Sequence, residues 1–142
     1  MTGYPSFSER SYGQHSANLT VTPRSILIVD DDEQLRTLFR KVLEEAGYLV
    51  FEAPTGQEGL RLFRQTPTAL VITDLLMPDM DGLEVTMALR CESPTVKIIA
   101  MTGGSGRRDF LDLAKPLGAH RTMKKPITMA ELLQAVEQEF RD

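Results

Sequence analysis

From residue 24 onward, short apolar runs of strand length alternate with longer amphipathic stretches, and few folds accommodate that alternation. Ile26-Leu27-Ile28-Val29 is a continuous apolar run, as expected for a strand covered on both faces. Residues 48–53, 69–73 and 96–101, with a less apolar stretch over 119–124, read as four further strands. After the first strand, Leu35, Leu38, Phe39, Val42, Leu43 and Ala46 recur at helical spacing, and Gly47 follows as a C-terminal breaker. Thr55 and Glu58 predict a capping box opening a short helix through Phe63. Another helix is expected to open at Asp81-Gly82-Leu83-Glu84 and run toward Cys91. Phe110, Leu113, Ala114 and Leu117 form a weaker stripe interrupted by Pro116. Thr128 and Glu131 predict a second capping box, with Ile127 and Leu132 placed for a hydrophobic staple and Leu133, Val136 and Phe140 continuing the buried face.

Five strands alternating with five helices imply a parallel sheet wrapped on both faces, because right-handed crossovers leave few other topologies. The expected architecture is α/β and flavodoxin-like, a (βα)5 unit with strand order 2-1-3-4-5. Its crevice should lie beyond the carboxyl ends of strands one and three, where the winding reverses. At 142 residues, 42% hydrophobic and 25% charged, the chain suits one such domain. Residues 1–23 are polar, rich in Ser, Thr and Gly, and lack a sustained period; they are read as a flexible N-terminal extension to a domain over 24–142.

Composition narrows the function classes. A formal net charge of -4 gives no long-range attraction to nucleic acid or anionic lipid, so no direct nucleic-acid partner is expected. The one cysteine, Cys91, cannot form an internal disulfide, and no Cys/His spacing suggests zinc. No basic start leads into an apolar run, and nothing approaches the roughly 20 apolar residues that span a bilayer. A cytoplasmic protein without a membrane segment is expected.

The residues that can carry chemistry stand just past the strand ends. Asp30, Asp31 and Asp32 follow strand one, Asp74 ends strand three, Thr102 follows strand four, and Lys125 precedes Pro126 after strand five. Like charges drawn into one crevice repel unless a cation joins them, and hard carboxylate oxygens without His or Cys suit Mg²⁺. A carboxylate beside Mg²⁺ can attack an activated phosphoryl donor and form an acyl phosphate. Lys125 can then neutralise charge on the transferring group while the Thr102 hydroxyl hydrogen-bonds one of its oxygens.

Taken in order, Ile26-Leu27-Ile28-Val29-Asp30-Asp31-Asp32, Val71-Ile72-Thr73-Asp74-Leu75-Leu76-Met77-Pro78, Asp81-Gly82, Met101-Thr102-Gly103 and Lys125-Pro126 form a specific set. With them, residues 25–141 resemble the receiver domain of two-component response regulators. The resemblance implies that Asp74 accepts a phosphoryl group from a phosphohistidine on a sensor histidine kinase or histidine phosphotransfer protein. It implies Mg²⁺ held directly by Asp31, at least through water by Asp30, by Asp74 itself and by the Leu76 carbonyl. Thr102 would be the switching hydroxyl and Lys125 the motif's lysine. The chain would act as a single-domain, chemotaxis-receiver-like phosphoprotein and not as an enzyme turning over outside substrates. It would signal through a downstream protein or self-association, as a monomer or a phosphorylation-dependent dimer.

Two departures bear on the readout. Thr122 stands three residues before the lysine, where the family often has Phe or Tyr, so an aromatic switch is not assumed. Leu76 and Gly104 occupy positions that tune phosphoryl lifetime in the family. Plainer roles suit the remaining features. Asp32 could serve as a third metal ligand, but a favourable charge at a helix N-terminus is the preferred reading. The Asp79-Met80-Asp81-Gly82 string resembles a phosphatase DxDG motif but follows Pro78, where a turn and helix start are expected. Gly103-Gly104-Ser105-Gly106 lacks the ending of a P-loop and is read as a mobile loop. His120 is read as structural, Cys91 as inert, Met77, Met87, Met101, Met123 and Met129 as packing, and Lys124 with Arg107-Arg108 as surface charge.

Overall fold

The computed structural model describes residues 20–77, 82–103 and 114–141. Residues 1–19 of the expected 1–23 extension, the Pro78 loop with residues 79–81, and the stretch 104–113 with Phe110 and Leu113 lie outside the described residues. Among the described residues five strands are present: β1 (Thr22–Val29), β2 (Leu49–Ala53), β3 (Thr68–Asp74), β4 (Lys97–Thr102) and β5 (Arg121–Lys124). They alternate with α1 (Glu33–Glu45), α2 (Gly56–Gln65), α3 (Gly82–Glu92), a helical stretch over 114–117 (α4) and α5 (Met129–Arg141). All pairings are parallel and the order is β2-β1-β3-β4-β5, as the alternation predicts.

Successive strand residues point to opposite faces and so divide the core in two. Ile26, Ile28, Leu70, Ile72, Ile99 and Met101 pack with Phe39 and Leu43 of α1 and Leu132 and Val136 of α5. Leu27, Val29, Val71, Ile98 and Ala100 pack with Leu60 and Phe63 of α2, Val85 and Leu89 of α3, and Ala114. Burial of both faces is why the central strands read as apolar runs. The α1 stripe is narrower than its spacing suggested. Phe39 and Leu43 are buried, whereas Leu38 is 46% exposed, because successive helix residues are set about 100° apart and Leu38 falls off the stripe.

Helix ends are closed largely as expected. Ala46 caps α1, and Gly47 adopts φ 98, donating its N–H to Glu44 O at 3.0 Å while Tyr48 N–H reaches Leu43 O at 3.1 Å. This is a Schellman closure, which favours glycine at the left-handed position. Before α5 the capping box is reciprocal: Glu131 N–H donates to Thr128 Oγ1 at 3.0 Å, and Thr128 N–H to Glu131 Oε1 at 2.8 Å. At α2 half of the box forms. Thr55 Oγ1 accepts the Glu58 N–H at 3.1 Å, while the Glu58 carboxylate pairs with Arg61.

β1 starts two residues earlier than the boundary read from composition, since Thr22 pairs with Thr68 and donates its N–H to Pro67 O at 3.3 Å. The register shifts before Ile26, and within that irregularity Arg24 adopts φ 54. Its guanidinium lies 4.4 Å from the centroid of the Tyr48 ring, which stacks on Phe140 at 5.1 Å. A left-handed non-glycine residue costs roughly 1–2 kcal/mol, which a cation–π contact of comparable size offsets. Among the described residues, no helix is long and apolar enough to cross a membrane.

Candidate functional site

Parallel register assembles the site. Val29 pairs with Thr73, so Asp30 and Asp74 emerge side by side at the ends of β1 and β3. Asp74 pairs with Met101 and Thr102 with Lys124, which brings Thr102 and then Lys125 to the same end of the sheet. Asp30, Asp31, Asp74, Thr102 and Lys125 therefore converge as their strand-end positions suggested.

Asp30 and Asp74 are buried while Asp31 is exposed, and one carboxylate oxygen from each lies within 4.8 Å of the others. Lys125 Nζ sits 2.9 Å from Asp30 Oδ2 and 3.6 Å from Asp74 Oδ2. Asp30 Oδ1 accepts the Asp32 N–H at 2.9 Å, and Asp74 Oδ1 faces the Leu76 N–H at 3.5 Å. The Lys125 N–H donates to Thr102 O at 2.7 Å and anchors the lysine's backbone to β4. Asp32 turns away and caps α1, accepting the Leu35 N–H at 3.2 Å, in keeping with its helix-end reading.

Burial dominates the electrostatics of Asp74. It pushes the carboxyl up to about 6, with the charges of Asp30 and Asp31 acting in the same direction and Lys125 and the Leu76 N–H opposing. Burial also works against the Lys125 ammonium. The hydrogen bond and charge of Asp30, with Asp74 beside it, outweigh that penalty and raise its pKa. Among the described residues, Thr102 Oγ1 is the one buried side-chain polar atom without a hydrogen-bond partner. Such orphaned groups are rare and point to a function or an absent ligand. Three hard carboxylate donors with a vacant hydroxyl on the adjacent strand fit Mg²⁺ that keeps open positions for phosphate oxygens.

A pH dependence follows. Mg²⁺ held at this cluster would have to displace the Asp74 proton, so its apparent affinity would be constant above about pH 7 and fall up to about tenfold per unit below about 6. Calorimetric Mg²⁺ titrations between pH 5 and 8 measure this directly. Equal affinities at pH 5 and pH 7.5 would contradict it.

Three residues outside the expected set shape the site or its surroundings. Gly82, at the start of α3, lies against the backbone of Asp74 and Leu75, a contact that its place in the helix opening does not announce. Arg36 donates through Nη1 to Asp30 O at 2.6 Å and pairs through Nε with Glu52 on β2 at 3.2 Å. A cation in the first turn after an acidic triplet was the available signal. Farther off, Arg90 donates to Val96 O at 2.8 Å and Gly118 O at 3.0 Å, tying the approaches to β4 and β5. His120 is structural as read: its Nδ1 accepts the Ile98 N–H at 3.1 Å. Burial, then Arg90 and Lys97, hold its pKa below the usual range. Met77 and Met101 are buried, but Met87 is 48% exposed and so departs from the packing role assigned to it. Cys91 and Lys124 lie on the surface. Thr122 is half-buried in an open groove of about 430 Å³ between β5 and α5.

A parallel sheet ordered β2-β1-β3-β4-β5, with an acidic crevice beyond β1 and β3, defines the flavodoxin-like fold of receiver domains. The chain belongs to the response regulator receiver domain family, whose model matches residues 26–137. Members are signalling domains of two-component systems and not classical enzymes. The chain is 33% identical over 112 residues to sporulation initiation phosphotransferase F of Bacillus subtilis, spanning 79% of this chain and 90% of that protein. It is 34% identical over 118 residues to a probable chemotaxis protein CheY of Rhizobium etli, spanning 81% and 91%. The response regulator TrrA of Thermotoga maritima, solved in complex with Mg(2+)-BeF, superimposes with a TM-score of 0.73 at 35% identity, covering 81% of this chain and 97% of that one.

Proposed function

We propose that this chain is a phosphorylation switch that takes a phosphoryl group onto Asp74 from a phosphohistidine of a sensor histidine kinase or histidine phosphotransfer protein. The observation that carries the reading is the convergence on Asp74. Two further carboxylates lie within 4.8 Å, an ammonium at 3.6 Å, and an unpartnered hydroxyl on the next strand. A carboxylate oxygen of Asp74 forms the O–P bond as the donor's N–P bond breaks, and the leaving imidazole takes a proton from solvent. Mg²⁺, held by Asp31, Asp74 and the Leu76 carbonyl with Asp30 at least through water, would neutralise charge on the phosphoryl oxygens. Lys125 is placed to pair with one of these oxygens, and Thr102 Oγ1 to donate to another. The names of two relatives, a phosphotransferase of sporulation and a chemotaxis protein, support phosphotransfer as the input, and the Mg(2+)-BeF complex of TrrA supports the metal.

Engagement of Thr102 would draw on the chain after β4 and shift an existing equilibrium, changing which protein, or second copy, binds. A cytoplasmic setting suits such partners. The test is intact mass after incubation with Mg²⁺ and a small acyl phosphate donor. The expected result is a gain of one phosphoryl group that requires Mg²⁺ and is removed by hydroxylamine, as an acyl phosphate is. No gain, or repeated hydrolysis of unrelated phosphate esters, would sink the reading.

A further inference from the structure

We propose that Arg36, clamped by Glu52, is a positioning residue for the acidic site: it holds the carbonyl of Asp30 and so sets the direction in which Asp31 presents its carboxylate. The inference rests on the phosphoryl-acceptor reading of the site. Asp30 is fixed at every other polar atom. Its N–H donates to Ala53 O at 3.1 Å in the last ladder bond of β1, Oδ1 accepts the Asp32 N–H, and Oδ2 accepts Lys125. The carbonyl points past the end of the sheet, where α1 begins three residues on and the ladder offers no donor. Arg36 Nη1 takes it at 2.6 Å. The peptide that carries this oxygen is the one joining Asp30 to Asp31, so a bond to the oxygen restrains the plane from which the Asp31 side chain departs.

The guanidinium is suited to this by shape. Its planar fork spends Nη1 on Asp30 O and Nε on Glu52 Oε1, so two bonds in one plane leave little freedom. The side chains of Arg36 and Glu52 are 12% and 20% exposed, whereas Arg40 and Glu44, which extend the network outward, are 49% and 42% exposed. The inner pair is therefore the less screened one. Glu52 does a second thing. A bare guanidinium beside the acidic cluster would repel an incoming divalent cation; Glu52, which also pairs with Arg40 Nη1 at 2.9 Å, together with Glu44 matches the two guanidiniums charge for charge. Arg36 thus supplies a donor without weakening the negative potential that attracts Mg²⁺.

The experiment is Mg²⁺ titration of the 142-residue chain followed by backbone amide NMR, with a metal-free thermal melt of each variant. Wild type, Asp31→Asn, Arg36→Met, Arg36→Lys, Glu52→Gln and the Arg36→Met/Glu52→Gln pair are compared. Outer-shell partners typically contribute about 10–100-fold to metal affinity. Arg36→Met should weaken Mg²⁺ binding by about tenfold, with Arg36→Lys between it and wild type. Glu52→Gln should weaken binding by leaving Arg36 uncompensated, and the double variant should bind no more weakly than Arg36→Met alone, because with the guanidinium gone Glu52 has nothing at the site to hold or balance. Independent roles for the two side chains predict instead that the two losses add. Wild-type affinity in both Arg36→Met and Glu52→Gln overturns the inference, and so does an additive loss in the double variant. If Arg36→Met does not fold, Glu52→Gln with affinity unchanged from wild type is sufficient to overturn it. A wild-type protein that binds no Mg²⁺, or binds it equally well as Asp31→Asn, instead overturns the reading of the site and the inference with it.

Discussion

Asp74→Asn is expected to abolish phosphoryl uptake and, in the same protein, to stabilise the metal-free fold at neutral pH. The loss is chemical, since the amide has no carboxylate oxygen to form the acyl phosphate. The gain is electrostatic. Burial raises the Asp74 carboxyl to about 6, so the folded protein holds a proton that the unfolded chain has released between the ordinary carboxylate range and that value. Stability from the neutral form is fully present below the ordinary range, fades as pH rises through about 6, and is absent above it. The full shift would correspond to roughly 3 kcal/mol; solvent reaching the crevice reduces this, and about 1–2 kcal/mol is expected. Urea melts of both proteins without Mg²⁺ at pH 4.5 and pH 7.5 measure it. The variant should melt at higher urea at pH 7.5, with most of the difference gone at pH 4.5. A variant less stable than wild type at pH 7.5 would show that Asp74 is not strained by burial. Such a trade of stability for reactivity is common at functional sites.

Gly82→Ala should be the most damaging small substitution in the described residues. A Cβ there would stand 2.2 Å from Asp74 O, 2.7 Å from Leu75 Cα and 2.9 Å from Asp74 C. These are backbone atoms that no rotamer change can move. Gly82 also donates its N–H to Leu75 O at 3.0 Å, so α3 cannot slide away without breaking that bond. Overpacking of this kind costs about 3 kcal/mol or more, and relief by backbone shift would displace Asp74 itself. The expected result is a large fall in urea midpoint together with a Mg²⁺ affinity weakened in whatever fraction remains folded. Near-wild-type stability with normal Mg²⁺ binding would refute it. By contrast the Cβ added at Gly59 would meet a Val29 methyl at 2.8 Å, a side-chain atom and not the backbone of the site.

The sequence pattern made most of the fold and the site legible because both depend on short-range order. Ile26 to Val29 and Leu70 to Ile72 are apolar at every position because both sheet faces are covered, and that pattern separates parallel from one-sided sheets. Asp30, Asp74, Thr102 and Lys125 could be picked out because they terminate strands, and parallel strands deliver their ends to one edge. Less legible were features decided by distance between elements. The Glu58 carboxylate had two partners in reach, Thr55 N–H and Arg61, and its choice of Arg61 is not written in the motif. Leu38 sat within a plausible stripe until the axis of α1 against β1 and β2 placed it outward.

What the amino-acid order determined by itself was the alternation of strands and helices, the parallel sheet, and the identity of the groups that meet at its end. Those follow from periodicity and from chain geometry, which act over a few residues at a time. Only the tertiary structure decided how the groups are held. Register brings three carboxylates within 4.8 Å and leaves Thr102 Oγ1 without a partner among the described residues; packing raises the Asp74 pKa to about 6. It also joins Arg36 to Asp30 O and sets Gly82 against Asp74. Desolvation, charge separation and steric exclusion depend on through-space distances of a few ångströms between segments far apart in the chain. No local pattern encodes those distances.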